Sequence, residues 1–298
     1  MKILRLLSYF AGLISFASLH GQSTIDSTFA YAWAANIGWT NWKANATNGV
    51  SVGEFICSGY VYAANVGWIN VGNGSPANQI QYQNNSPIDF GLNYGIDPNQ
   101  PGYGILRGYA YGADVGWINF ESMGNPRVSL FTGTFSGYAY SANCGWINLN
   151  DLNGKVQTDH ILMGADTNSN GIADAWEYLY FGGLLAAGQE NSLSPNGNGM
   201  TLLQDYKDGV SPLTANAGLR ITAYSTNSGG TSSNLTFIST TARLYTIEVN
   251  GDITQPPNWT DSGLGMFAPD QGLTTMRVVT QSAATKNFFR VKTMRPLP

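Results

Sequence analysis

Residues 166–177 read Asp166-Thr-Asn-Ser-Asn-Gly-Ile-Ala-Asp-Ala-Trp-Glu177, and their spacing specifies a chemistry. Oxygen-bearing side chains recur at alternate positions, Asp166, Asn168 and Asn170, ahead of a glycine that permits a sharp turn. Ile172 offers a backbone carbonyl, Asp174 an oxygen directly or through water, and Glu177 two oxygens that close the sphere. A hard cation of the calcium type takes roughly six to eight oxygens at adaptable angles, and this template serves it. With only three carboxylates, the expected affinity lies in the weak range of roughly 0.1–1 mM. The competing reading is an Asx-rich turn capping a helix, with Asp174 and Glu177 favouring its N-terminus.

Those ligands need elements to hold them. An aromatic-rich helix is expected to leave the loop over Ala173 to Phe181. The entering side, His160 to Gly164, is too short and Gly-broken for a helix, so the motif is half an EF-hand. It resembles the bacterial thrombospondin type 3-like calcium repeat and, more distantly, dockerin. That resemblance implies a second repeat, and Ser194-Pro-Asn-Gly-Asn-Gly-Met-Thr-Leu-Leu-Gln-Asp205 sits where one belongs. It departs from the pattern: Ser194 replaces the first Asp, Leu202 the ninth-position donor, and Asp205 the longer Glu.

Upstream, the chain repeats itself. Tyr31 to Trp39, Tyr60 to Trp68, Tyr109 to Trp117 and Tyr138 to Trp146 share the pattern Tyr-x-aromatic-x-Ala-Asn/Asp-x-Gly-Trp. Trp39 and Trp68 are 29 residues apart, as are Trp117 and Trp146, so a two-hairpin unit is duplicated in tandem. Alternation places both leading rings on one face of a strand. The Asn/Asp and Gly residues supply the turn, and Trp begins the return strand. Further strands are expected at Val50 to Val52, Gln79 to Gln83, Asp89 to Tyr94 and Val128 to Phe131. The rings have two readings. They form the core, which their capacity for burial favours. Alternatively, Trp39, Trp68, Trp117 and Trp146 are exposed and stack on sugars, while Asn36, Asn65, Asp114 and Asn143 bind hydroxyls.

The whole composition fits short strands and tight turns: 11% charged residues, 12% aromatic and 36 glycines in 298 residues. A net charge of −4 with no basic stripe argues against nucleic acid as a partner. Residues 1–22 read as a signal peptide, with Lys2 and Arg5 ahead of an apolar run from Leu6 to Leu19. An extracellular or cell-surface location follows as the expectation, with no membrane span after removal of the leader. In that setting Cys57 and Cys144 either pair, closing a loop worth roughly 4 kcal/mol, or remain two buried thiols.

The expected organisation is mainly β. Residues 23–160 form a duplicated aromatic hairpin domain, 161–215 a calcium-type linker with short helices, and 216–298 an Ig- or fibronectin III-like β-sandwich. Leu244-Tyr-Thr-Ile-Glu-Val249, Asn258-Trp-Thr-Asp261 and Asn287-Phe-Phe-Arg-Val291 carry the likeness to a fibronectin III-like module. No catalytic residues are nominated. His160 has no Gly-x-Ser-x-Gly partner, and Asp89, Asp97, Asp114 and Glu121 present no evident glycosidase pair. The expectation is an exported, calcium-stabilised, non-catalytic structural or adhesion protein partnering polysaccharide or another surface protein. The second reading is a lectin-like module using the hairpin rings; a glycoside-acting enzyme is the third.

Overall fold

A computed structural model describes residues 22–45, 47–254, 258–281 and 286–298; the leader falls on residues outside these. The architecture is mainly β, in antiparallel sheets with two α-helices between them. No helix among the described residues is long and apolar enough to cross a membrane.

Each repeat folds as a hairpin: Ile25–Ala34 with Gly38–Asn41, Cys57–Ala63 with Gly67–Gly72, Tyr103–Gly112 with Gly116–Asn119, and Tyr138–Ser141 with Gly145–Asn148. The turn closes through the Val66 N–H donating to the Ala63 carbonyl at 3.2 Å and the Val115 N–H to Gly112 at 3.3 Å. Gly38, Gly67, Gly116 and Gly145 then take left-handed backbone angles, φ +70 to +79°. The left-handed residue is the glycine alone, whereas the preceding Asn/Asp was also expected to use that freedom.

The hairpins pair edge to edge in chain order. Thr40 faces Ala63, Ile69 faces Gly112, Asn119 faces Tyr140, and Ile147 faces Ala34, which returns to the first strand. Eight antiparallel strands therefore close into an up-and-down barrel with every hairpin turn at one end. A barrel of this strand number has an interior only wide enough for side chains. Ala32, Val61, Ala110 and Ala139 fill it, cross-paired with Thr40, Ile69, Ile118 and Ile147. Toward the turns the lining shrinks to Ala34, Ala63, Gly112 and Ser141, and the buried Ile37, Val115 and Cys144 plug the end. A residual void of only about 10 Å³ remains inside.

At the opposite end three hairpin strands run on and take further partners: Gly154–Thr158, Ser51–Val52, Leu92–Ile96 and Arg127–Ser129. Trp42, Phe120 and Phe135 close that end, with ring centroids 5.4–6.1 Å apart. Gln79 to Gln83 forms no strand. Tyr82 instead turns inward and lies over Gly72 and Gly91, where any Cβ would come within 2.6 and 2.4 Å of its ring. The strand expected at Asp89 to Tyr94 begins at Leu92.

Two helices follow, α1 (Asp174–Phe181) and α2 (Leu202–Asp208), packed through Trp176, Ile172, Leu202 and Tyr206. The last unit pairs two three-stranded sheets around Leu235, Phe237, Tyr245, Ile247 and Val279. Its strands include Leu244–Asn250, Thr260–Asp261 and Phe288–Met294, which overlap the three phrases singled out in the sequence. Arg243 joins it to α2 by donating to the Lys207 and Tyr206 carbonyls, and Arg295 reaches Glu54 below the barrel.

Candidate binding face and calcium-type loops

Because alternate residues fill the barrel with alanine and isoleucine, the repeated rings stand on its outer wall. This corrects the core reading. Trp39, Trp68, Trp117 and Trp146 are 39–46% exposed, and Tyr31, Tyr62, Tyr111, Tyr138 and Tyr140 are similarly open. Eight strands leave no room inside for four indoles and their tyrosines, so alternation had to run with the small residues inward.

Each hairpin carries one cluster. Trp39 lies 4.9 Å from Trp33 and 6.5 Å from Tyr31, in edge-on geometry. Trp68 lies 5.1 Å from Tyr62, Trp117 4.9 Å from Tyr111, and Trp146 5.0 Å from Tyr140. The close partner is the directly cross-strand residue in every copy. Such pairs add about 0.5–1.5 kcal/mol beyond area burial, so the clusters also stiffen their hairpins. The indoles point outward around a barrel, and hence are not coplanar.

Asn36, Asn65, Asp114 and Asn143 are not beside these rings. They sit on the turn end, where two of them, Asn65 and Asn143, link neighbouring hairpins. The Asn65 amide donates to the Ile37 carbonyl at 3.0 Å, and the Asn143 amide to Val115 at 3.0 Å. The Asn36 amide approaches Gly145 of the fourth turn. Asp114 has no amide hydrogen to offer, and nothing lies against the Gly67 position it would reach.

The polar groups beside the rings are Asn41, Asn70, Asn119 and Asn148, opposite Tyr31, Tyr60, Tyr109 and Tyr138. Their Oδ1 atoms accept backbone N–H bonds from Lys43, Gly72, Glu121 and Asn150, two residues on. The Asn148 amide donates to the Asp151 carboxylate at 3.4 Å. The Asn41 amide donates to the Tyr31 hydroxyl at 3.4 Å. The Asn closing each Gly-Trp-Ile/Thr-Asn phrase was the sequence signal for this set.

In the loop at 166–177, Asp166 accepts the Asn170 and Gly171 N–H groups at 3.0 Å, and Asp174 accepts that of Thr167 at 2.9 Å. Glu177 is fully buried. Its donors are neutral: the Asn170 amide at 2.6 Å, the Asn168 amide at 3.3 Å and the Leu185 N–H at 3.4 Å. A buried carboxylate is costly without a cation, and none of the ion pairs among the described residues involves Glu177. The Asn170 oxygen accepts the Ile172 N–H at 2.9 Å, and the Asn168 amide also donates to the Leu185 carbonyl. A calcium ion would therefore draw chiefly on Asp166, Asp174 and Glu177, with the two amide oxygens turned to it on binding. Ile172 is buried at the turn into α1.

The second loop repeats the arrangement 28 positions on. Asn196 and Asn198 donate their amides to the fully buried Asp205 at 2.7 and 2.6 Å. Ser194, in place of the first Asp, donates to the Pro212 carbonyl, and Leu202 is buried rather than coordinating. Here neutral amides hold an acid with fewer oxygens around it.

The other candidates disperse. Cys57 and Cys144 are free and buried, Cys57 where its strand enters and Cys144 in the plug at the turn end, so no bridge links them. Burial pushes the Cys57 thiol up to about 12. Asp89 holds the Ala77 and Gln83 N–H groups, Asp97 pairs with Arg127 at 2.8 Å, and Glu121 accepts from Gly108. The Phe29 N–H chiefly holds the Asp26 carboxyl below the ordinary carboxylate range, while burial, with Asp26 beside it, pushes Asp159 above it. A hollow of about 390 Å³ lies between barrel, helices and sandwich, but its charged groups are already engaged. Glu54 accepts from Tyr206 and Arg295, and Arg243 caps α2.

A second hollow, of about 370 Å³, opens beside the third hairpin between Trp117, Tyr109 and Phe90. No family model matches the chain, and no curated protein or solved structure matches it either.

Proposed function

We propose that this chain is an exported, calcium-stabilised, non-catalytic binding protein of the extracellular or cell-surface space. It holds polysaccharide on the Tyr/Trp clusters of the barrel wall. The observation that carries the reading is the placement of four half-exposed indoles outside a filled barrel. Exposed rings offer flat apolar faces to the C–H faces of sugar rings, and the neighbouring Asn amides offer donors to hydroxyls. Four clusters facing different ways suit several glycan chains rather than one, so avidity and cross-linking follow.

Calcium enters as a structural ion held by Asp166, Asn168, Asn170, Ile172, Asp174 and Glu177. It would neutralise the buried Glu177 and fix the loop that leads into α1. The second reading, a structural or adhesive scaffold, is favoured by the edge-on packing of the rings on one another, which gives them a stabilising role without any ligand.

A glycan and polysaccharide screen of the mature chain, run in calcium and again in chelator, separates the two. Binding that drops in Trp68→Ala or Trp146→Ala variants that still fold supports the polysaccharide reading. Silence of the folded protein across the screen overturns it and leaves the scaffold.

A further inference from the structure

The four clusters share a pattern but not their surroundings. The longest connector, between the second and third hairpins, folds back so that residues 84–91 stand against the third cluster alone. Phe90 meets Trp117 edge-on at 5.0 Å and 87°, and Tyr111 at 6.4 Å. A second wall thus rises from the barrel surface, with Asn85, Ser86 and Pro87 along its rim.

That wall is held in place. Asn84 takes a left-handed angle, φ +55°, accepts the Gly91 N–H at 3.0 Å and donates to the Tyr82 carbonyl at 3.3 Å. Asp89, itself buried, accepts the Gln83 and Ala77 N–H groups. Tyr82 exchanges two bonds with the Asn93 side chain, at 2.9 and 2.8 Å. Gly108 seats the loop on the barrel, since a Cβ there would meet the Gly91 carbonyl oxygen at 2.3 Å and the Asn84 amide at 2.6 Å. Bonds of this number fix a loop before any ligand arrives, which lowers the ordering cost of binding.

The chemistry of the hollow selects its occupant. Its floor and wall are aromatic, its rim carries one amide and one hydroxyl, and no charged side chain lines it. Its volume of about 370 Å³ falls in the range of small-ligand sites. We infer that the third hairpin carries the principal glycan site of the molecule, taking a neutral sugar unit. One ring face lies on Trp117 with Phe90 at its edge, and hydroxyls meet Asn85 and Ser86. The other three clusters are open pads that add avidity on polymers. This inference rests on the polysaccharide reading above and specifies where its affinity resides.

The test is titration of the mature chain with short neutral glucan, mannan and xylan oligosaccharides. An acidic polygalacturonate oligomer and neutral phosphatidylcholine vesicles serve as comparators. Phe90→Ala is expected to weaken the neutral oligosaccharide about tenfold, equivalent to ~1.4 kcal/mol. Asn85→Ala, at an exposed position, and Ser86→Ala, at a half-buried one, should each weaken it several-fold with melting unchanged. Trp68→Ala should weaken the short oligosaccharide less than Phe90→Ala does and act mainly on the apparent affinity for the polymer. Equal losses from Trp68→Ala and from the Asn85 and Ser86 variants overturn this inference and leave the polysaccharide reading standing. Tighter binding of the acidic oligomer, or of vesicles, overturns the neutral-sugar assignment. Failure of every glycan to bind the folded chain removes both readings together.

Discussion

The barrel and the units after it use the same residue types in opposite ways. On the barrel, the repeat Tyr and Trp residues stand outside, and Ala, Val and Ile fill the interior. In the C-terminal sandwich, Phe237 and Tyr245 are fully buried, 5.3 Å apart, with Phe267 beside them. Two packed sheets stand about 10 Å apart and accommodate rings between them. Eight strands rolled into a barrel enclose a narrower space, which small and β-branched side chains saturate. The helix pair extends the contrast to charge: it buries Glu177 and Asp205, whereas the barrel repeats leave Asp114 in solvent. Closure geometry, rather than hydrophobicity, decides where an aromatic residue ends up here.

Ring truncation breaks or confirms that comparison most directly. Tyr245→Ala should cost about 3–5 kcal/mol, because it opens a cavity in the sandwich and removes a hydroxyl bonded to Thr240. Trp68→Ala on the barrel wall should cost only about 1 kcal/mol, the cross-strand contribution of one pair. Denaturant unfolding of the mature chain measures both, and similar losses at the two sites would refute the assignment of the wall as surface. From the inside, Ala139→Leu should destabilise by about 1–3 kcal/mol, since the filled barrel has no space for the added carbons. A neutral result there would mean that the interior yields.

The buried carboxylates sharpen the other half of the contrast. Calcium at about ten times its Kd should stabilise the wild type by ~1.4 kcal/mol, and chelator should remove that gain. Glu177→Gln keeps the volume and an acceptor while deleting the charge. In chelator it should therefore match or exceed the wild type, and in calcium it should show no gain. Asp166→Ala also loses the calcium response, but it weakens the chelated protein too, because Asp166 holds two N–H groups of the loop. Asp205→Asn should leave the calcium response intact. Thermal melting with and without calcium reads all three, and a wild type that melts equally in both would eliminate the metal.

Much of this was legible in the sequence, but not all of it for the same reason. The hairpins, both helices and the sandwich strands follow from local period and turn chemistry, which act within a few residues. Barrel closure depends on Ile147 facing Ala34, a contact between opposite ends of the repeat domain that no local pattern encodes. Aromatic and smaller residues alternate on the leading strand of every repeat and both kinds suit burial, so hydrophobicity does not choose the inward face. The curvature of the closed sheet does. The Asn in each turn read naturally as a left-handed residue or a sugar ligand. Its link to the next hairpin exists only once the turns stand side by side. The connector around Phe90 lacked any strand pattern because its order comes from Asn84, Asp89 and Asn93 side-chain bonds rather than from pairing.

Asp114 offers the smallest and most specific perturbation of the barrel. Two turns donate an Asn amide to the preceding turn's carbonyl at 3.0 Å, and Asn36 approaches the fourth turn in the same sense. At the remaining junction Asp114 presents a carboxylate, which accepts but does not donate. Asp114→Asn supplies the missing donor without changing shape and should add about 0.5–1 kcal/mol, the net worth of one hydrogen bond. Asn143→Asp should remove a comparable amount by opening the corresponding link to Val115. If the two substitutions move the unfolding midpoint in opposite directions, the turns act as a ring that tightens the closed end. If Asp114→Asn leaves it unmoved, closure is carried by the strand pairs and the plug of Ile37, Val115 and Cys144.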